Sequence, residues 1–295
     1  MELQDHLRLV LVQTLMVVKN RQVVLITGAS RGIGNTCATF LAKRGHAVYG
    51  TSRSPGSRPR MMDEFFELLS MDNLDEVSIH GVVSEIIEKE GRIDLVVCNA
   101  GKTINGAVEN IPTIEGLQQM DVNFMGVARL IHAVLPTMRH NRSGTILVIG
   151  SILGRSGLPF NAYNAASEFA LEGYVESLRL ELVHSGVRIA MVESGSRHTG
   201  VDSNMALFPG EPDDMYTSMY AKVLRRITDC TKKGINPVVI ARLVQRLMGK
   251  KKLKTRYFVG TFHQRWALML KRFLPSAMYE YLILKYFGIR KISKE

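Results

Sequence analysis

Three glycines, Gly28, Gly32 and Gly34, stand in the spacing G-x-x-x-G-x-G directly after the apolar run Val23-Val24-Leu25-Ile26 and Thr27. Glycine allows a tight turn and lets main chain approach a ligand closely. Where such a turn leads from a strand into a helix, the free amides at the helix N-terminus attract a diphosphate. The spacing is not G-x-G-x-x-G, so the general dinucleotide fingerprint does not apply as written, and a plain tight turn is the competing reading. Two cations would add to an anion site: Arg31 inside the turn and Arg53 after the second apolar run. In a doubly wound domain the end of the second strand meets the adenosine ribose, where an acid accepts hydrogen bonds from the free hydroxyls of NAD. Ser52 stands there instead, leaving room for a 2′-phosphate that Arg31 and Arg53 would neutralise. The pair favours NADP(H), against the alternative of two ordinary surface arginines.

These residues need a platform. Apolar stretches rich in β-branched residues predict strands at Val23–Ile26, His46–Thr51, Glu67–Met71, Asp94–Cys98, Thr145–Ile149, Val187–Glu193 and Arg256–Val259. Helices are expected over about Asn35–Arg44, Asp75–Glu90 and Thr113–Arg139, and another should begin at Asn236-Pro237. Alternation of this kind predicts one α/β domain, a doubly wound, Rossmann-like, mostly parallel seven-stranded sheet with helices on both faces. Residues 54–64, rich in Pro, Gly and Arg, read as a loop, and residues 200–217 as a mobile substrate lid. The expected organisation is an N-terminal extension over 1–19, the domain over 20–261 and a basic amphipathic tail over 262–295.

Composition narrows the function. Of 295 residues, 46% are hydrophobic and 22% charged, which suits a globular protein and excludes a disordered chain. Cys37, Cys98 and Cys230 are too few and too scattered for a disulfide framework or a zinc site, so a reducing, cytoplasmic setting without a metal is expected. The net charge of +11 comes without a nucleic-acid module, so no nucleic-acid partner is expected. Leu7–Val18 is apolar but interrupted by Arg8, Gln13 and Thr14 and too short to span a bilayer. It reads as a surface helix, a peripheral anchor or an extended start. In the tail, Trp266, Phe273, Tyr281 and Phe287 alternate with cations and the pattern breaks at Pro275. Such a segment either lies on an anionic membrane surface or closes a core or dimer contact.

The run Thr27-Gly28-Ala29-Ser30-Arg31-Gly32-Ile33-Gly34, with Asn99-Ala100-Gly101 and Phe169-Ala170-Leu171-Glu172-Gly173, resembles the short-chain dehydrogenase/reductase family over about residues 20–260. Its retinol and hydroxysteroid dehydrogenase branch is the most similar. The resemblance implies an NADP(H)-dependent oxidoreductase, commonly a dimer or tetramer, acting on a hydroxyl or carbonyl of a small apolar substrate. It implies cofactor contacts from Gly28, Ser30, Arg31, Gly32, Ile33, Gly34, Arg53, Asp72, Asn99, Ala100, Gly101, Gly195 and Thr199. Asp72 would accept from the adenine amino group, or else serve as a loop or cap aspartate.

The family's chemistry uses a serine on the substrate oxygen and a tyrosine acid whose pKa a lysine four residues later lowers. An interior asparagine of the preceding helix, matched by Asn123, kinks that helix and holds a water linked to the lysine. Ser151 matches the serine. Without gaps, Asn164 then falls on the tyrosine and Glu168 on the lysine. Tyr163 lies one residue early, about 100° around the helix, and Ser167 rather than a lysine follows it by four. Asn164 cannot give up a proton, and Glu168 reverses the lysine's charge. The sequence therefore leaves two readings open: an impaired oxidoreductase, or a nucleotide-binding pseudoenzyme acting as sensor, scaffold or dimer partner.

Overall fold

The computed structural model describes residues 21–54, 65–195, 205–211, 215–232 and 234–289. The sheet is built outward from the interior strand β1 (Val23–Ile26), buried on both faces as its unbroken apolar run requires. Parallel pairing extends from it through β2 (Ala47–Ser52) to β3 (Glu67–Ser70) on one side. On the other side it passes through β4 (Leu95–Cys98), β6 (Gly144–Ser151) and β7 (Val187–Ser194) to β9 (Arg256–Val259). The order β3-β2-β1-β4-β6-β7-β9 reverses direction beside β1, where open α/β sheets bind ligands.

Alternate residues of β1 feed two cores. Val24 and Ile26 face α1 (Gly32–Ala42) and α7 (Pro237–Met248), meeting Ile33, Cys37, Leu41, Ile240 and Val244. Val23 and Leu25 face α2 (Glu76–Glu90), α4 (Gly126–His140) and α5 (Ala162–Glu181), meeting Ile79, Val83, Leu130, Ile131, Leu171 and Val175. The sheet is thus covered on both sides, as an all-parallel sheet must be. Local chemistry sets the helix ends. The Asp75 side chain accepts from Val77 N at 2.9 Å to cap α2, Gly91 closes it at φ +73°, and Asn236 caps α7 ahead of Pro237.

The structure refines three expectations. The helix expected over Thr113–Arg139 is two helices, α3 (Thr113–Met120) and α4, joined by a wide π turn over Asp121–Met125 that carries Asn123. The stretch read as a lid contains β8 (Met205–Phe208), which pairs in parallel with β5 (Thr103–Gly106) in a second small sheet. The tail is two helices, α8 (Phe262–Phe273) and α9 (Ser276–Phe287), split before Pro275. An unexpected helix, α6 (Thr217–Lys232), packs against α9. Residues 1–19, the loop core 55–64, Thr199 and the lid positions 200–204 and 212–214 lie outside the described residues.

Candidate active site

A cavity of about 1470 Å³ opens over the C-terminal ends of β1, β2, β4 and β6. Its wall at one end is the glycine turn. Gly28 and Gly32 have φ of +65° and +60°, and a Cβ on Gly28 would sit 2.9 Å from Ala100 Cα. Ser30, Arg31, Gly32 and Ile33 line the cavity at the start of α1, which has no acid in its first turn. Glycine backbone and a helix N-terminus with no acid in its first turn fit a diphosphate. Gly34 does not line the cavity; a side chain there would collide with the Gly28 carbonyl, so its task is close packing of turn and helix.

Thr27, the first residue of the glycine motif, organises this end. Thr27 Oγ1 accepts from the amides of Asn99 and Ala100 at 2.9 and 3.0 Å, while Asn99 Nδ2 donates to the Thr27 and Gly28 carbonyls. The two loops therefore hold each other through one hydroxyl and one carboxamide, and Thr before the first glycine was the available signal. Ser52 and Arg53 line the cavity at the end of β2. Asp72 lines it too, with Oδ1 accepting from Leu74 N at 3.0 Å in a turn. Gly101 and Gly195 complete the set of sequence-identified positions that the structure brings together here.

At the other end stand Ser151, Asn164 and Glu168. Glu168 projects from α5 toward the end of β6, where its Oε2 accepts from the Ser151 amide at 2.8 Å. Ser151 Oγ accepts from Leu153 N at 3.2 Å. Asn164 is buried, and its Oδ1 accepts from Gln119 Nε2 at 3.2 Å; Gln119 Oε1 accepts in turn from Ile104 N. Asn123 accepts from Lys102 N at 2.8 Å and donates to the Lys102 carbonyl and to Ser167 Oγ. It fastens the loop after β4 to α5, as the wide turn allows. Tyr163 is absent from the cavity wall: its ring lies on Gly116 of α3, where any side chain would collide with it.

Lys102 and Tyr279 are among the polar groups that reach the cavity unforeseen. Lys102 lines it, but its ammonium is paired with Glu115 and bonded to Gln118 Oε1. Tyr279, supplied by α9, also lines it and shares a 2.7 Å hydrogen bond with Ser156 Oγ. Neither carries a local signal, because partners far apart in the chain define them. Burial pushes the Cys98 thiol up to about 12, so this cavity-lining sulfur stays protonated and inert.

The model of the family described as short chain dehydrogenase matches residues 22–208. The chain is 34% identical to a 3-ketodihydrosphingosine reductase of Bacteroides thetaiotaomicron, over 91% of this chain and 99% of that one. It is 32% identical to a 17-beta-hydroxysteroid dehydrogenase type 1 of Mus musculus, over 86% of this chain and 75% of that one. Among solved structures, a short-chain dehydrogenase from Streptomyces avermitilis superposes with a TM-score of 0.77 at 25% identity, over 91% of this chain and 98% of that one.

Proposed function

The chain belongs to the short-chain dehydrogenase family, and from that premise we propose that it binds NADP(H) and an apolar hydroxyl- or carbonyl-bearing compound while transferring hydride poorly. NADP(H), when bound, supplies or takes up the hydride. The glycine turn and the N-terminus of α1 would hold its diphosphate, and Arg31 and Arg53 its 2′-phosphate. A volume of about 1470 Å³ exceeds what one small ligand fills, which supports a steroid-, retinoid- or lipid-like compound beside the nucleotide.

The observation that carries the reading is the Glu168 carboxylate seated on the Ser151 amide, with Asn164 tied to Gln119. Asn164 cannot exchange a proton with a substrate oxygen, and Glu168 brings a carboxyl to the position where the family's lysine steadies the tyrosine's anion. Binding survives that arrangement better than turnover, which suits a sensor, scaffold or dimer partner. A cofactor titration followed by a hydride-transfer assay on a panel of lipid and steroid alcohols and ketones tests it. Tight cofactor binding with negligible turnover is expected; turnover at ordinary enzymatic rates would overturn it.

A second reading, an active lipid oxidoreductase, draws on the near full-length relation to the 3-ketodihydrosphingosine reductase. It would need its proton from another titratable group on the cavity wall, such as Tyr279, Tyr286, His263 or Lys102, and replacing that group would then abolish turnover. In either case we place the protein in a reducing, cytoplasmic setting, peripheral on a membrane through α8, and as a homo-oligomer.

A further inference from the structure

The cavity wall changes character along its length. Around the glycine turn it is polar, with Ser30, Arg31, Ser52, Arg53 and Asp72. Where α8 and α9 supply it, the wall is largely apolar. Three of the side chains there, Leu270 of α8 and Leu282 and Tyr286 of α9, line the cavity and are also 37%, 38% and 48% exposed. A single exposed leucine is ordinary. Three apolar side chains that belong to cavity and surface at once mark a place where the cavity reaches the outside through an apolar rim. That rim adjoins the outward stripe of α8, Phe262, Trp266, Met269 and Phe273, which is exposed and does not line the cavity. Leu270 stands four residues after Trp266 and three before Phe273, so rim and stripe are neighbours on the helix. Around them α8 carries Arg265, Lys271 and Arg272 and no acid, and α9 carries Lys285 against Glu280. Apolar side chains among cations suit an anionic bilayer, and a second copy would bring the same charge.

We propose that the apolar ligand passes directly between an anionic bilayer and the cavity, through a mouth between α8 and α9 rimmed by Leu270, Leu282 and Tyr286. The outward stripe of α8 holds that mouth against the membrane. This rests on the readings above that an apolar ligand occupies the cavity and that α8 attaches the protein to a membrane. A ligand that crosses from lipid to an apolar cavity through an apolar rim never exposes its hydrocarbon to water, so the step avoids the cost that makes desorption from a bilayer slow. The cofactor reaches its own site from the polar side, so the two exchange independently.

The test uses the full chain loaded with NADP⁺ and a pyrene-tagged long-chain ketone carried in vesicles of phosphatidylcholine and phosphatidylserine. Excimer emission falls as the ketone leaves the vesicle, so stopped-flow fluorescence reads its transfer. Transfer at the bilayer should quicken in proportion to protein concentration and slow with added salt, whereas transfer through water is limited by desorption and ignores both. Leu282→Gln, or Leu270→Gln if that variant does not fold, should slow transfer about fivefold or more, because a carboxamide wets the rim. Cosedimentation with the vesicles and NADP⁺ binding should not fall, because the stripe and the polar wall are untouched. Phe262→Ser with Trp266→Ser and Phe273→Ser should return transfer to the desorption limit. The ketone delivered to that variant from cyclodextrin should bind as tightly as before, since none of the three lines the cavity. A rate that ignores protein concentration in the unaltered chain, or transfer as fast in the rim or stripe variants, overturns the membrane mouth and leaves the apolar ligand standing. No binding of the ketone from cyclodextrin overturns the apolar-ligand reading and this inference together. No cosedimentation of the unaltered chain overturns attachment through α8 and, with it, the mouth.

Discussion

On the function proposed above, activity turns on Glu168 and Asn164. A lysine at 168 would lower a tyrosine's pKa at 164; the carboxylate present would raise it. The double change Asn164→Tyr with Glu168→Lys is expected to raise turnover by at least about tenfold, since positioned acid–base catalysis contributes about 10²–10⁴. Each single change should do much less, because the pair acts as a unit. Steady-state kinetics of the three variants decide it, and Tyr163→Phe should change nothing. That Asn164 and Glu168 fall on the family's tyrosine and lysine positions was legible from the resemblance, because Ser151 and the run after Glu168 keep their register. The fate of Tyr163 was not, because it depends on Gly116 of a helix with no sequence link to it. The arginines carry a second expectation at this scale. Arg31→Ala and Arg53→Ala should each weaken NADP(H) binding by about tenfold or more while sparing NAD(H), because a charge-assisted contact contributes about 1.5–3 kcal/mol. Equal dissociation constants for the two cofactors in the unaltered protein would remove the basis for NADP.

At the scale of elements, α8 is built inside out for a surface helix. Phe262, Trp266, Met269 and Phe273 recur at four, three and four residues on one face and are 69%, 48%, 47% and 75% exposed. Gln264, Ala267 and Leu268 on the opposite side line the cavity. Arg265 and Arg272 flank the outward stripe, so an anionic bilayer surface suits it better than the same cationic face of a second copy. No described helix is long and apolar enough to cross a membrane, so any attachment through α8 is interfacial. Cosedimentation with phosphatidylserine-containing vesicles should be salt-sensitive, and Phe262→Ser with Trp266→Ser and Phe273→Ser should lower it by about tenfold. Unchanged sedimentation of the folded triple variant would make the stripe an interface between protein chains. The amphipathic tail was legible in its three- and four-residue repeats. The β5–β8 sheet was not: Thr103 pairs opposite Met205 across about a hundred residues, and each strand is too short to show a pattern. The break at Asp121 was half legible, because an interior asparagine signals trouble in a helix without saying that a π turn resolves it.

Across the whole molecule, the parallel sheet and its two cores follow from the β–α alternation, but the ionic knot that ties its far edge together does not. Glu172 and Glu176 come from α5, Glu193 from β7 and Arg256 from β9, and only folding brings them together. Arg256 Nε lies 2.6 Å from Glu172 and 3.3 Å from Glu193, Arg256 also pairs with Glu176, and Arg155 lies 3.3 Å from Glu193. Burial pushes the Glu172 carboxyl above the usual carboxylate range, outweighing the hydrogen bond and attraction of Arg256, and the charge of Glu193 adds to the rise. Burial pulls Arg256 down, but Glu172 and Glu176 together hold it above its ordinary value, so the Glu172–Arg256 pair is mutually favourable while the site as a whole disfavours a second buried negative charge. A carboxyl whose folded-state pKa is raised binds its proton more tightly when folded. Its contribution to stability is therefore full below the unfolded value of about 4.3 and is lost as pH rises through the higher folded value. Glu172→Gln keeps the shape, cannot titrate and leaves Arg256 with Glu176 and Glu193. Thermal unfolding from about pH 4 to 7.5 should show the Gln variant gaining on the unaltered protein as pH rises above about 4.3, then holding a constant lead once Glu172 is ionised in both states. Parallel curves would mean that Glu172 keeps its ordinary pKa. A lead that shrinks with rising pH would mean that Arg256, not burial, governs the carboxyl.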